Sequence, residues 1–164
     1  MSVVDILKQA DIFYDFTQSQ LELIASICSE KEYEYGDTIF AEHGASDELY
    51  IVVDGEVEIQ VDPGLIKGKA GSSQTIAVVR RGQSFGEMAL LDEGRRSASA
   101  RSGATGARLV GIPRDKLIAL CEAYPKLGYR LMYNVAVDLS MKIRNADIQI
   151  REQLLWNKEN KPGQ

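Results

Sequence analysis

Histidine is almost absent from this chain: His43 stands alone among 164 residues. Metal-dependent catalysis needs several histidine, cysteine or carboxylate ligands converging on one ion, and one histidine in a Glu42-His43-Gly44 turn reads as a surface or locally bonded side chain. A nucleophilic serine would lack a histidine to activate it, and no nucleophile-elbow motif is present. The chain is therefore expected not to be an enzyme, and to hold neither a metal nor a cofactor. There are two cysteines, Cys28 and Cys121. They are too few for a disulfide framework or a four-ligand iron–sulfur cluster, and both sit among apolar neighbours in segments that read as helical, as small buried thiols do. No apolar run approaches the roughly 20 residues that cross a bilayer. The stretch Met1 to Asp11 also lacks the basic-then-apolar order of a secretory signal. These absences predict a soluble, cytoplasmic protein with no membrane contact. Positive charge is short as well: 19 Lys and Arg against 24 Asp and Glu give a net charge of -5. With the basic residues dispersed, no footprint for a polyanion is visible, so direct binding of nucleic acid is not expected.

What is present suits one core. The hydrophobic share is 45%, enough at this length for a single domain over 1–164. A short amphipathic stretch, Val3 to Ala10, precedes Thr17, which suits the N-cap of a helix over Gln18 to Ser29 with Leu21, Ile24, Ala25 and Cys28 on one face. From Tyr33 to about Ile112 the texture changes to short β-branched runs punctuated by glycine. The runs are Thr38 to Ala41, Leu49 to Val53, Val57 to Val61, Thr75 to Val79, Ser97 to Arg101 and Arg108 to Ile112. Asp62 to Ser73 is rich in glycine and serine and reads as an exposed hairpin tip. After Pro113, Arg114 to Glu122 reads as a short helix, and Pro125 opens a long one reaching about Asn157. Its apolar positions Met132, Ala136, Leu139, Ile143, Ala146 and Ile150 alternate spacings of four and three, the seam of a helix that packs on another helix. A helix of roughly 45 Å would overrun a small barrel, so part of it is expected to find a second partner.

The chemistry concentrates between Gly82 and Ala98. Gly86 permits close backbone approach, and a helical turn over Glu87 to Leu91 would leave its first amides free to face an anion. Arg96 can supply a two-pronged, permanently charged fork, and the Ser97 hydroxyl one further donor. Glu87 would repel a bare phosphate, yet a carboxylate accepts well from a sugar hydroxyl. An anion beside a ribose means a nucleotide; on these residues alone, a turn with a surface carboxylate and two solvated arginines is the favoured reading.

This segment, Gly82-Gln83-Ser84-Phe85-Gly86-Glu87-Met88-Ala89-Leu90-Leu91-Asp92-Glu93-Gly94-Arg95-Arg96-Ser97-Ala98, resembles the phosphate-binding cassette of the cyclic-nucleotide-binding family, which includes catabolite activator proteins and kinase regulatory subunits. Upstream, Gly36-Asp37-Thr38-Ile39-Phe40, the Gly44 to Tyr50 stretch with Asp47, and Ile51-Val52-Val53-Asp54-Gly55-Glu56-Val57 are similar to its early strands, so the resemblance covers roughly Ile12 to Asn145. It implies a mainly β fold, a β-roll or jelly roll with N-terminal helices and a long C-terminal helix. The implied division is a β-roll core with flanking helices over 12–124, a lid and dimerisation helix over 125–157, and a disordered tail over 158–164. It further implies that Glu87 binds the ribose 2′-hydroxyl of cAMP or cGMP and Arg96 the cyclic phosphate. The backbone of Gly86, Met88 and Ala89 would take the remaining oxygens, with Phe85, Ser97 and Ala98 lining the pocket. Arg96 is preferred to Arg95 because it directly precedes the Ser-Ala pair. In Ser97 to Arg101, serine and alanine stand where relatives often carry threonine and valine, which thins the pocket wall.

In this family the last helix covers the base. Asp138, Lys142 and Asn145 share one helical face and are candidates to reach the base edge, or else form a solvated face with an Asp138–Lys142 pair. The expected function is a regulatory sensor in signal transduction: a homodimer through the C-terminal helix, acting on a downstream protein partner. The alternatives are a β-roll dimerisation scaffold that binds no nucleotide, and a regulatory fragment of a larger protein. Relatives that carry a helix-turn-helix domain place it after the long helix, whereas here the sequence stops shortly after Trp156.

Overall fold

The structure, a computed structural model, describes residues 1–45, 47–64, 71–91 and 95–159. The N-terminal helices are α1 (Val3–Gln9) and α2 (Gln18–Ala25), with a single 3-10 turn, Asp11–Phe13, between them. Thr17 caps α2 as its sequence suggests: its hydroxyl accepts from the Gln20 amide at 3.3 Å, and the Gln20 side chain accepts from the Thr17 amide at 2.9 Å. The helix ends at Ala25, however, not at Ser29. Cys28 lies in the exit from the helix, where its thiol donates to the Ile24 carbonyl and burial pushes its pKa up to about 12.

Ser29 instead opens β1 (Ser29–Tyr33), which runs antiparallel to the end of β6 (Ser99–Pro113). Being an edge strand of Ser, Glu and Lys, β1 carries no hydrophobic alternation by which sequence could reveal it. The remaining strands are β2 (Thr38–Phe40), β3 (Glu48–Val61), β4 (Gln74–Arg80) and the two-residue β5 (Ser84–Phe85). Together the described strands form a six-stranded antiparallel sheet in the order β1-β6-β3-β4, with β2 on β6 and β5 on β3. The sheet rolls upon itself. Of the expected hairpin tip between β3 and β4, residues 65–70 lie outside the described residues.

Four of the expected short runs are two long strands. Leu49 to Val53 and Val57 to Val61 join as β3, and Ser97 to Arg101 and Arg108 to Ile112 join, from Ser99, as β6. The joins are bulges, visible as register shifts on both sides of Asp54-Gly55. Gly55 has φ +74° and faces Gly106, with φ +76°, so closely that a Cβ on Gly55 would lie 2.1 Å from the Gly106 carbonyl oxygen. The glycines therefore mark a bend through which pairing continues, where sequence reads a turn.

The alternation along β3 divides the interior. Leu49, Ile51 and Val53 face the helices and meet Leu7, Ile12, Phe13, Leu21, Ile24, Val110, Ile112 and Leu117. Tyr50, Val52 and Val57 face into the roll and meet Val79, Phe85, Ala100 and Leu109. The helical layer is completed by α4 (Arg114–Ala123) and α5 (Pro125–Glu159), which runs two residues past the expected end; residues 160–164 lie outside the described residues.

Helix α5 changes character along its length. Leu127, Leu131 and Val135 are fully buried against the helical core. The buried Asn134 amide donates to the carbonyls of Ile12 (3.0 Å) and Tyr14 (2.8 Å), while Arg130 pairs with Asp15 at 3.0 Å. Of the expected seam, Met132 and Leu139 are half-buried, whereas Ala136, Ile143, Ala146 and Ile150 are exposed. The chain's own core is thus met by a neighbouring face of α5, and the seam is left outward.

Replacing Gly55 by alanine forces both a positive φ and a backbone clash. We expect G55A to lose about 2–4 kcal/mol of stability, read as a lower urea midpoint at unchanged m-value.

Candidate functional site

Strand β5 positions the cassette. Its pairing of Phe85 with Tyr50 and Ser84 with Ile51 delivers Gly86 and Glu87 to one end of the roll, followed by the short helix α3 (Met88–Leu91). Gly86 has φ +78°, and a Cβ there would fall 2.5 Å from Nη1 of Arg96 and 3.1 Å from the Glu48 carbonyl oxygen. Only glycine leaves room for that guanidinium.

Arg96 is 3% exposed. Its Nε donates to the Ala45 carbonyl at 3.3 Å, Nη1 to the Gly86 carbonyl at 3.3 Å and Nη2 to the Glu48 carbonyl at 2.8 Å. The guanidinium carbon stands 4.0 Å above the Phe40 ring centre and 5.8 Å from that of Tyr50. Beneath it the rings of Phe40, Tyr50 and Phe85 stack at 5.2 to 6.0 Å between centroids. Burial lowers the Arg96 pKa, against the opposing pull of Tyr50, Asp47, Glu48 and Glu87. Its backbone is fixed too, since the His43 amide donates to the Arg96 carbonyl and the Arg96 amide to the Gly44 carbonyl. Arg95, next to it, is exposed.

Glu87 is 7% exposed and faces α5. Its Oε1 accepts from the Lys142 ammonium at 2.8 Å, while Oε2 is buried with no hydrogen-bond donor among the described residues. Lys142 also donates to the Ser84 carbonyl at 3.0 Å and lies 2.7 Å from Asp138 Oδ2. Burial opposes the Lys142 charge, but Glu87 and Asp138 outweigh it and hold the pKa above its ordinary value. On the far side of Arg96, the Glu48 carboxylate accepts from Lys31 and from the Tyr50 hydroxyl. Burial pushes the Glu48 pKa up, yet these two bonds and the Arg96 charge hold it below the usual range.

The structure thus brings together Phe85, Gly86, Glu87, Arg96, Asp138 and Lys142 of the expected residues, with Ala98 buried nearby in sequence. Met88 and Ala89 lie on α3, Met88 with its side chain exposed. Ser97 and Asn145 are both exposed. Sequence reasoning missed Phe40, Glu48 and the carbonyls of Ala45 and Ser84. Phe40 and Tyr50 read as ordinary core, and backbone carbonyls leave no mark in sequence.

At the other end of the roll an open depression of about 550 Å³ is lined by Glu32, Tyr33, Glu34, Asp37, Asp54, Thr105 and Arg108, among others. Its predominance of carboxylates disfavours an anion. Among the described residues no group of three His, Cys, Asp or Glu side chains could hold a metal ion, and no helix is long and apolar enough to cross a membrane.

Comparison with known proteins decides the family. The family model for the cyclic nucleotide-binding domain matches residues 30–124, which include the cassette, Glu87 and Arg96. The chain belongs to that family. The cyclic AMP receptor protein of Thermus thermophilus is 29% identical over 88% of this chain and 62% of its own length. A cAMP-dependent protein kinase regulatory subunit of Mycosarcoma maydis is 28% identical over 60% of this chain and 18% of its own length. The chain therefore spans less than two thirds of either relative. In fold, a cyclic nucleotide-binding domain from Methylobacillus flagellatus is alike with a TM-score of 0.78 at 24% identity, over 99% of this chain and 84% of that one. The six-stranded roll with its long last helix is thus the jelly roll of cyclic nucleotide-binding domains, a regulatory family.

Because the Gly86 Cα hydrogens touch Arg96, a methyl group there would dislodge the guanidinium. G86A is expected to lose about 1–3 kcal/mol of stability and to expose Arg96, seen as faster solvent exchange of its Nε proton by NMR.

Proposed function

We propose that this domain is a sensor that binds a cyclic purine nucleotide, cAMP before cGMP, between the cassette and α5. The observation that carries the reading is the pairing of two buried, oppositely charged side chains with hydrogen-bonding capacity left over. A guanidinium has five N–H donors, and Arg96 directs its three nitrogens to carbonyls through three of them. The other two suit the equatorial oxygens of a cyclic phosphate. Glu87 keeps one acceptor oxygen without a donor, which suits the ribose 2′-hydroxyl. The backbone of Gly86, Met88 and Ala89 takes the remaining oxygens, and Phe85, Ser97 and Ala98 line the pocket. The names of the two relatives, a cyclic AMP receptor and a cAMP-dependent kinase subunit, favour adenine.

The domain reports occupancy through α5 and performs no catalysis itself. Nucleotide adds contacts between cassette and helix and shifts the population of helix arrangements, a coupling of about 1–3 kcal/mol or 5–150-fold in the affinity of a downstream protein partner. The outward face of α5 pairs two copies of the chain. Tyr133, Val137, Ile143, Ile148, Ile150 and Leu154 are exposed along it, more apolar surface than an isolated helix keeps in water. The division into a roll over 12–124 and a helix from 125 follows that assignment of roles. A cytoplasmic location is where such a ligand is sensed.

Calorimetric titration with cAMP and with cGMP tests the site. Saturable binding is expected, weakened at least about 10-fold in E87Q and in R96K. R96K is chosen because alanine would also strip the carbonyls of Ala45, Gly86 and Glu48 of their donor. Absence of heat with both nucleotides, in protein free of co-purified ligand, would leave a dimerisation scaffold. Sedimentation equilibrium tests the pairing: a dimer is expected, converted to monomer by I143E combined with I150E at unchanged helical content.

A further inference from the structure

Lys142 stands two turns beyond Val135, the last fully buried residue of α5, yet it reaches back across 55 residues of sequence to Glu87. Its ammonium touches Glu87 Oε1 at 2.8 Å, the Ser84 carbonyl at 3.0 Å and Asp138 Oδ2 at 2.7 Å. Two of these oxygens, Glu87 Oε1 and the Ser84 carbonyl, accept hydrogen bonds from the ammonium, and the Asp138 carboxylate pairs with it by charge. The geometry has two consequences for Glu87. Its carboxylate is fixed by one oxygen only, so its orientation is set from α5 and not from the cassette that carries it. The second oxygen is buried and lacks a donor, and an acceptor in that condition gains most from one incoming hydroxyl.

We propose that Lys142 is the positioning residue for ribose recognition: by holding Oε1 it orients Oε2 toward the 2′-hydroxyl, so that the chain reads this hydroxyl only while α5 is docked. The inference rests on the nucleotide reading of the site and adds to it a named link between sugar and helix. Asp138, one turn before Lys142, keeps the ammonium from collapsing onto Glu87 alone by sharing it. Neither residue then recognises the base, although both lie on the face of α5 that turns toward the cassette.

The test is a cycle between protein and ligand: wild type, K142M and K142R, each titrated with cAMP and with 2′-deoxy-cAMP. Lys142 is partly exposed and methionine is a good helix former, so K142M is expected to fold; thermal melting checks this, and K142Q serves if it does not. The expected result is that K142M weakens cAMP about 10-fold and 2′-deoxy-cAMP less than about 2-fold, so that discrimination between the two sugars collapses. K142R restores the cation and most of the discrimination. Equal weakening of both ligands would overturn the inference, since Lys142 would then merely dock the helix. Tighter cAMP binding by K142M would overturn it in favour of a blocking ammonium. A wild type that binds both sugars equally well would remove the role of Lys142 but leave the nucleotide reading standing. A wild type that binds neither cAMP, cGMP nor 2′-deoxy-cAMP would remove the nucleotide reading and this inference with it.

Discussion

A guanidinium withdrawn from water must be compensated by the atoms around it, and the whole cassette end of this roll is arranged for Arg96. Desolvating a charge costs several kcal/mol, offset here by hydrogen bonds to three carbonyls and by the electron-rich face of Phe40. Each partner constrains a different part of the chain. The Gly86 carbonyl requires the tight turn after β5, which in turn excludes any side chain at Gly86. The Glu48 carbonyl places the start of β3, and Ala45 together with His43 and Gly44 fixes the preceding loop. Phe40 sets the height of β2. Four parts of the chain therefore converge because one cation needs them. The same convergence leaves a positive centre with donors in reserve, so the structural demand of Arg96 and its chemical use have one origin.

Glu48 and Glu87, with Asp47 and Tyr50, contribute to the compensation. Glu48 is already bound by Lys31 and the Tyr50 hydroxyl. Glu87 stands on the side of α5 and is only half engaged. A site with two fully satisfied carboxylates would be an inert ion-pair network. Under the proposed function, the half-satisfied carboxylate and the partly committed arginine take a ligand's hydroxyl and its anion.

How much of this could be read from sequence follows from how local each feature is. The N-cap at Thr17, the helix starts after Pro113 and at Pro125, and the cassette with Arg96 before Ser97-Ala98 are contiguous patterns, and the family and fold followed from them. Strand β1 was invisible because its stabilisation comes from pairing with β6 and its charged side chains face water. The unity of β3 and of β6 was hidden because a glycine bulge and a glycine turn look alike until the partner strand is known. Residues 46 to 56 apart in sequence, such as Phe40 and Tyr50 against Arg96 or Lys142 against Glu87, meet only through the roll. For Lys142 the sequence offered Asp138 as a neighbour at helical spacing, and that pair does form. The third member, Glu87, needed the fold.

The gradient along α5 explains why this helix, and not the roll, is suited to carry a signal. Up to Val135 it is anchored by fully buried Leu127, Leu131 and Val135, each worth about 1.5–3 kcal/mol of burial, and by Asn134 reaching the 3-10 turn. Beyond Leu139, Lys142 hydrogen-bonds to Ser84 and Glu87, and residues 143–159 are exposed. A rearrangement that begins at the anchored half would disrupt the helical core. One that begins at Lys142 exchanges a single partly solvated cation cluster and moves some 25 Å of helix beyond it. Because Arg130 and Asn134 tie the anchored half to Asp15, Ile12 and Tyr14, any tilt that does reach it is shared with the N-terminal turn. Under the proposed function, the low-cost pivot and the contact that positions Glu87 are the same residue, so a small change in contact there would have a large mechanical reach.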